Sequence, residues 1–512
     1  MPTDLELLTE ARALRQEGRA DEAQLRMLAL VTRGTSLWEP YLVAGVSSLS
    51  RGDRERALHF LRLAADRESH GTEAVQLLCR TLVENGNHHE ALQAWFVRLS
   101  HDGSREAITG FARFARAWEG PAEALESLLN CLPKIPDFRY SEYAKLERQG
   151  GLPGTVVIPE EALPPARATF HHMDTPNPTA AEFPAVRRHL IENAVVRPWS
   201  EVVVQGNLAY LPDCVDLDEH LLYETFVGLS TPAADGSMLL LRRESMADWL
   251  PEGIVLTSFA VGNWAHFLTE TAPLMALVEA ENLPVHIPLL VARPEAAQIT
   301  EMMERLKHPK RPMRVLDRPV QVGKAHWYGP VAQVPFEFLK ARAGLPVRYG
   351  PGDFLFSPSA LAALRERLGL GARSQGSAGA KVFIDRVSSR RKVRNREAVL
   401  DFFRGAGFDI IRPESLSLAG QMDIFGRASV VAGQAGAGLA NMVFAPAGAR
   451  IIAFTGHPVD VEPHRYWASM ARALGHEFHQ IAFGAPSAEL HIDFEVALDR
   501  LAGLRFLLEG SA

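Results

Sequence analysis

Six of the eleven residues from Arg386 to Arg396 are basic: Arg386, Arg390, Arg391, Lys392, Arg394 and Arg396. Guanidinium groups hold phosphate oxygens through paired hydrogen bonds, so this run is a candidate anion site. A solvated charged loop accounts for Lys392 or Arg396, but six repelling charges of one sign call for a bound anion. A second candidate is Val430-Val-Ala-Gly433-Gln-Ala-Gly436-Ala-Gly438-Leu-Ala-Asn441, an apolar strand entering a glycine turn that opens a helix. Free N–H groups at such a helix start favour an anion, and Gly436, Ala437 and Gly438 leave room for it against the main chain. The glycine order matches neither the Walker loop nor the dinucleotide fingerprint, and tight packing is the competing explanation. A third candidate is His266 with Glu270 one helical turn later: a proton acceptor and the carboxylate that orients it, or a hydrogen-bonded core histidine. Asn263 either positions a substrate or caps the helix that carries His266.

These groups need a scaffold. From about residue 185, strand-length apolar runs at Glu201–Val204, Met238–Leu241, Ile254–Leu256 and Pro288–Val291 alternate with helical stretches at His266–Glu279 and Ala296–Leu306, which predicts a largely parallel, covered sheet. The segment Gly371–Ala380 has the composition of a hinge or exposed loop. After it, strands are predicted at Lys381–Ile384, Phe408–Ile411, Ser429–Ala432, Arg450–Phe454 and near Phe478–Phe483. Helices at about 395–405, 416–426 and 438–444 complete a doubly wound pattern. An amphipathic helix over Phe494–Leu508 is expected to cross back onto the first half. In such folds ligands bind outside the carboxyl ends of the strands.

The first 130 residues are repetitive. Gly18, Gly52, Gly86 and Gly120 recur every 34 residues, and three of them open the phrases Gly18-Arg-Ala-Asp-Glu-Ala23, Gly52-Asp-Arg-Glu-Arg-Ala57 and Gly86-Asn-His-His-Glu-Ala91. Glycine permits a tight turn between two helices and the small alanine lets them pack closely. Leu14 and Leu82 lie four residues before their glycines, where the second unit has Ser48. The period resembles tetratricopeptide repeats, which implies a short α-solenoid. Its surface either docks a protein partner or acceptor, or serves stability alone.

The chain has 512 residues with 54 Lys plus Arg against 61 Asp plus Glu, a net charge of −7 that excludes a globally basic nucleic-acid binder. Cys79, Cys131 and Cys214 form no disulfide framework and no thiolate zinc site; a reducing compartment fits, with Cys79 and Cys131 expected to be buried. His171, His172, His457 and His464 lack metal-ligand spacing. The basic run Lys307–Arg314 reads as a solvated turn, or else as a membrane-facing patch. No secretory signal or spanning helix is legible, so a cytoplasmic chain is expected, peripheral at the inner face of the membrane if at a membrane at all.

One resemblance joins the chemical phrases. Phe383-Ile-Asp-Arg386, Arg391, Asn395, Glu397, Pro413-Glu414, Gln421, Gly433 and Gly436-Ala-Gly-Leu-Ala-Asn441 follow one another as in glycosyltransferase family 61, and Asn263-Trp-Ala-His266 is similar to that family's upstream Asn-x-x-His. The resemblance covers about residues 190–485. It implies an α/β fold: a GT-B-like pair of Rossmann-like domains preceded by the all-α, tetratricopeptide-like solenoid. The expected domains are 1–132 (repeats), 133–185 (linker with short strands), 186–370 (acceptor side) and 371–512 (nucleotide-sugar side). It further implies an inverting transfer from a nucleotide sugar, the co-substrate, to a glycan, glycolipid or protein acceptor, as in bacterial surface polysaccharide assembly. Arg386, Arg391, Asn395, Glu414, Gln421, Gly436, Ala437, Gly438 and Asn441 would face the donor, with Asn395, Glu414 and Gln421 equally explained as capping or surface residues. His266 with Glu270 would serve as the base. No cofactor or metal ligand set is required, though a helping divalent metal stays open. Relatives often carry His where this chain has Ala435, so any donor contact made there is absent here, and an inactive repeat scaffold is the alternative.

Overall fold

The computed structural model describes residues 2–69, 71–102, 104–131, 140–172, 182–213, 229–230, 238–242, 245–258, 260–294, 296–334, 354–370, 379–387, 391–456, 463–484 and 493–509. Segment 371–378, most of the expected hinge, and Cys214 lie outside them. The chain divides into two compact units: residues 1–146 with 217–244, and residues 147–216 with 245–512.

Among the described residues of the first unit eight helices follow one another: α1 (Asp4–Gln16), α2 (Ala20–Thr32), α3 (Glu39–Ser50), α4 (Arg54–Arg67), α5 (Glu73–Glu84), α6 (His88–His101), α7 (Arg105–Arg116) and α8 (Ala122–Cys131). The 34-residue period corresponds to a repeated helix stop. Gly18, Gly52 and Gly86 take φ of 78°, 77° and 76°. The next amide reaches back each time, from Arg19 to the Leu14 carbonyl, Asp53 to Ser48 and Asn87 to Leu82. This is the Schellman arrangement, and it uses only the carbonyl of the residue four before the glycine. Ser48 therefore fills that place as well as leucine does. Ala23, Ala57 and Ala91 are buried in the helix contacts, as is Cys79; Cys131, expected to be buried, is exposed at the end of α8. Backbone pairing joins Tyr140–Arg148 antiparallel to Met238–Arg242, which pairs antiparallel with Leu229–Ser230.

Among its described residues the second unit carries two large sheets and two small two-stranded ones, Ala332–Gln333 with Leu355–Phe356 and Glu161–Ala162 with Glu182–Phe183. The strands of the first are β1 (Val186–Val196), β2 (Val203–Gln205), β3 (Leu208–Leu211), β4 (Trp249–Val255), β5 (Leu289–Ala292), β6 (Met313–Leu316) and β7 (Val320–Tyr328), in the order β6-β5-β4-β7-β1-β2-β3, with Thr155–Ile158 also pairing antiparallel with β1. The β6-β5-β4-β7 side is parallel, but β1 runs antiparallel to β7 and to β2, so the sheet is mixed rather than largely parallel. The short connection from β1 to β2 makes that pair antiparallel, because a parallel return needs a long crossover.

The second sheet consists of β8 (Ala380–Ile384), β9 (Asp409–Ile411), β10 (Ala428–Gln434), β11 (Arg450–Thr455) and β12 (Glu477–Ala482). They run in the order β9-β8-β10-β11-β12, all parallel, and Ala168–His171 adds a sixth parallel strand beside β12. Six of the seven β10 residues are buried, which explains its uninterrupted apolar sequence. The expected helix over Phe494–Leu508 is instead a bridge from Phe494 to Val393, a short helix Leu498–Gly503 and a 3-10 turn Arg505–Leu508. Phe494, Val496, Leu501 and Leu507 bury against β8, β10 and β11 of their own half rather than crossing to the first. One apolar core runs through both halves, from Ile254 and Phe267 to Leu418, Phe425 and Ile451. Among the described residues no helix is long and apolar enough to cross a membrane.

Candidate functional site

The order β9-β8-β10 sets the site. The chain leaves β8 toward β9 and then returns past β8 to lay down β10, so the loops after β8 and β10 diverge and leave a crevice at the carboxyl ends. Arg386 stands two residues past β8 and Gly436 two past β10. The Arg386 Nη1 donates to the Ala435 carbonyl at 2.9 Å. A Cβ on Gly436 would lie 2.6 Å from the same nitrogen, so only glycine lets the guanidinium lie against this turn. Gly436 starts the 3-10 helix Ala437–Phe444, where Ala437 is exposed and Gly438 half-buried.

Arg391 reaches the same place. Its backbone is left-handed (φ 57°), and its carbonyl accepts a hydrogen bond from the Gln434 side chain at the end of β10. Burial and the neighbouring Arg386 charge push its guanidinium down to about 10; burial alone lowers Arg386. Both stay cationic at neutral pH. Among the described residues neither ion-pairs with a carboxylate, and Arg391 Nε is buried with no partner. Asp385, the acid next to Arg386 in the chain, is already held by Arg396 (2.5 and 2.8 Å) and Arg412 (2.7 Å). Two adjoining half-buried cations at a helix start have the make-up that an anion site needs.

The other donor-side candidates border this cradle in different ways. Gln421 is buried and donates to the Pro413 carbonyl at 2.8 Å, fixing the turn Pro413–Ser415 that passes Gly438. Glu414 in that turn is exposed. Asn395 turns away: its side chain donates to the Val496 carbonyl (2.8 Å) and accepts from the Val496 amide (3.0 Å). Asn441 is fully buried and accepts from Trp264 Nε1 at 3.0 Å, tying the cradle helix to the first half.

Trp264 opens a helix in three stretches: α9 (Trp264–His266), a π-helical turn (Phe267–Thr271) and α10 (Ala272–Ala280). Asn263 caps it, its Oδ1 accepting from the Ala265 amide at 3.0 Å. Pro273 has no N–H to give, and the turn before it widens. That turn sets His266 Nδ1 2.6 Å from Glu270 Oε1, with Tyr466 against the imidazole and bonded to Thr269 at 2.9 Å. Burial opposes charge on His266. The charge and hydrogen bond of Glu270, with the charge of Glu201, outweigh it and raise its pKa.

Three features escaped the sequence reading. Glu201 approaches Glu270 only through the fold, sixty-nine positions apart with no periodic signal. Asp385 was legible only as part of a phrase. Arg311, in the basic run read as a solvated turn, is buried, donating to Glu279 at 2.8 Å and to the carbonyls of Leu283, Pro284 and Ile287. Among the described residues no group of three or more His, Cys, Asp or Glu side chains could hold a metal ion.

Two arginines without a carboxylate partner among the described residues, set at a doubly wound switch point and tied through Asn441 and Trp264 to the helix that carries the His–Glu pair, suit an enzyme that handles a phosphorylated co-substrate. The family model Glycosyltransferase 61 matches residues 264–452, from Trp264 through the arginines and the glycine turn into β11. The chain is a glycosyltransferase. No curated protein matches it.

Proposed function

We propose that the chain moves a sugar from a nucleotide-sugar donor to an acceptor hydroxyl with inversion, in a GT-B-like manner, the second half holding the donor and the first the acceptor. The observation that best supports this reading is the pair Arg386 and Arg391 beside Gly436, without a carboxylate between them. As the glycosidic bond breaks, negative charge grows on the departing diphosphate, and fixed cations with a helix start are suited to receive it. The reading asks for no resident cofactor, the nucleotide sugar being the co-substrate. Ala435 is accommodated, because that position meets Arg386 through its backbone carbonyl. We place the acceptor among the glycans or glycolipids of bacterial surface polysaccharide assembly, at the cytoplasmic face. The helices of residues 4–131, with their tetratricopeptide-like period, would dock a protein partner.

Thermal melts of the full chain with UDP, GDP or CDP test the donor half of this reading. A ligand that binds only the folded state raises the melting temperature. One of the three should do so, and Arg386→Ala should abolish the rise. If no nucleotide stabilises the wild-type chain, the donor site is refuted in favour of a scaffold.

A further inference from the structure

Behind the His266–Glu270 pair the first half encloses a cavity of about 90 Å3. Its position follows from the sheet. The strands β4 and β7 are parallel neighbours with Val255 opposite Trp327, so their carboxyl ends open on the same side. Val255, Leu256, Trp327 and Tyr328 form the walls there. The Thr257 hydroxyl donates to the Ser200 carbonyl at 2.8 Å, which brings the next residue, Glu201, to the cavity wall. The π-helical turn delivers Glu270 and Thr271 to the same cavity.

Two carboxylates therefore border one small and otherwise mainly apolar space. His266 is not among the residues lining it. Its Nδ1 meets one Glu270 oxygen at 2.6 Å, while the other accepts from no described residue. Trp264, two residues before His266, is bonded to Asn441 of the cradle helix, so one short helix links cavity and cradle.

We propose that this cavity is the acceptor subsite, that Glu270 rather than His266 takes the acceptor's proton, and that Glu201 holds a second hydroxyl of the same acceptor. The proposal rests on the nucleotide-sugar reading and deepens it. In the transfer step the acceptor hydroxyl gives its proton to a Glu270 oxygen while its lone pair forms the new bond to the anomeric carbon. The bond from that carbon to the diphosphate breaks, and its electron pair leaves with the diphosphate toward Arg386 and Arg391. His266 is a positioning residue: it donates to Glu270 and fixes the carboxylate's direction. The raised basicity of His266 agrees with this role, because an imidazolium has no lone pair with which to accept a proton. Two carboxylates suit two hydroxyls on one rigid frame, and the apolar walls suit the C–H faces of a sugar ring. The acceptor class is therefore a glycan presenting a diol, not a serine or threonine side chain with its single hydroxyl.

The test uses the full chain, UDP-glucose, UDP-xylose and UDP-N-acetylglucosamine as donors, and p-nitrophenyl glycosides or a serine/threonine peptide as acceptors. Glu270→Gln should cut kcat by about 100-fold or more while nucleotide affinity is kept, which also shows that the variant folds. Glu201→Gln should raise the glycoside KM about 10-fold with kcat held. His266→Gln, which still offers an N–H, should keep kcat within about 10-fold of wild type, whereas His266→Leu should not. A merely structural histidine would not divide glutamine from leucine in kcat at constant KM. Activity that survives in Glu270→Gln but is lost in His266→Gln overturns the base assignment. Transfer to the peptide and to no glycoside, or to neither acceptor, overturns the acceptor assignment while leaving a nucleotide-binding wild type intact. A wild type that neither binds nor turns over any donor overturns the nucleotide-sugar reading beneath it.

Discussion

Gly436→Ala isolates the contact between the glycine turn and Arg386. The Gly436 φ is 167°, extended backbone that alanine adopts freely, so the change brings no conformational strain. Its cost is spatial. The new methyl would lie 2.6 Å from Arg386 Nη1 and 3.1 Å from Cζ, where ordinary contact is about 3.5 Å or more. The guanidinium is the free end of a flexible side chain, so it yields by about 1 Å and gives up its bond to the Ala435 carbonyl. Losing that bond costs about 1 kcal/mol of stability. The larger effect falls on ligand: a displaced guanidinium forfeits a charge-assisted bond to phosphate, about 1.5–3 kcal/mol, or about 10- to 150-fold in Kd. Isothermal titration with the nucleotide that stabilises the wild type measures it. Gly433→Ala is the control, since its Cβ would fall 2.9 Å from Ile384 Cβ and 3.2 Å from the Ile384 carbonyl on the adjoining strand. Backbone there cannot step aside, so about 1–3 kcal/mol of stability should be lost. Unchanged nucleotide affinity in Gly436→Ala would refute the claim that Arg386 at this turn holds the phosphate.

Two further outcomes concern stability. Burial works against charge on Asp385, but the hydrogen bonds and charges of Arg396 and Arg412 overcome it and lower its pKa. A depressed carboxylate stabilises fully above its unfolded value of about 3.9, and that stability is lost as pH falls through the lower folded value. Asp385→Asn should therefore cost about 1–3 kcal/mol at pH 7, below the range for fully buried pairs because both arginines are part-exposed. Its thermal melts should lack the wild-type loss below about pH 4 that comes from this group; parallel curves would refute the assignment. In the repeats, Gly52→Ala places a side chain at φ 77° and should weaken hydrogen-exchange protection in α3 and α4 by about 1 kcal/mol. Ser48→Ala keeps the carbonyl that the turn needs and should change it by less than about 0.5 kcal/mol.

What could be read from sequence follows from which forces act locally. The second sheet was legible because β8, β10 and β11 are buried on both faces and so appear as apolar runs. Their order places the arginine loop beside the glycine turn, which is why two phrases about forty residues apart can be joined from the sequence. The strand β1 hid for the opposite reason: its alternation breaks at Glu192 and Asn193, both exposed, where Asn193 is left-handed at φ 50°. Its partner β7 carries Gly323, Lys324 and His326, polar or small residues that dilute the strand pattern. The terminal helix failed through competition between local and distant hydrogen bonds. Helical spacing is present in Phe494–Leu508, yet Phe494 exchanges backbone bonds with Lys392 and Arg394, and Val496 with the Asn395 side chain. That docking removes the first turn and leaves too few residues for a full helix. Asn395 is occupied by the same contact, so a residue that matches the family phrase here anchors the chain terminus beside the arginine loop. The division is therefore physical. Burial and period determine which strands exist and in what order, and that order places Arg386 beside Gly436. Which face of a helix meets a cavity depends on contacts such as Thr257 with Ser200, and no spacing rule carries those. This is why His266, the more conspicuous residue in sequence, stands behind Glu270 in the structure.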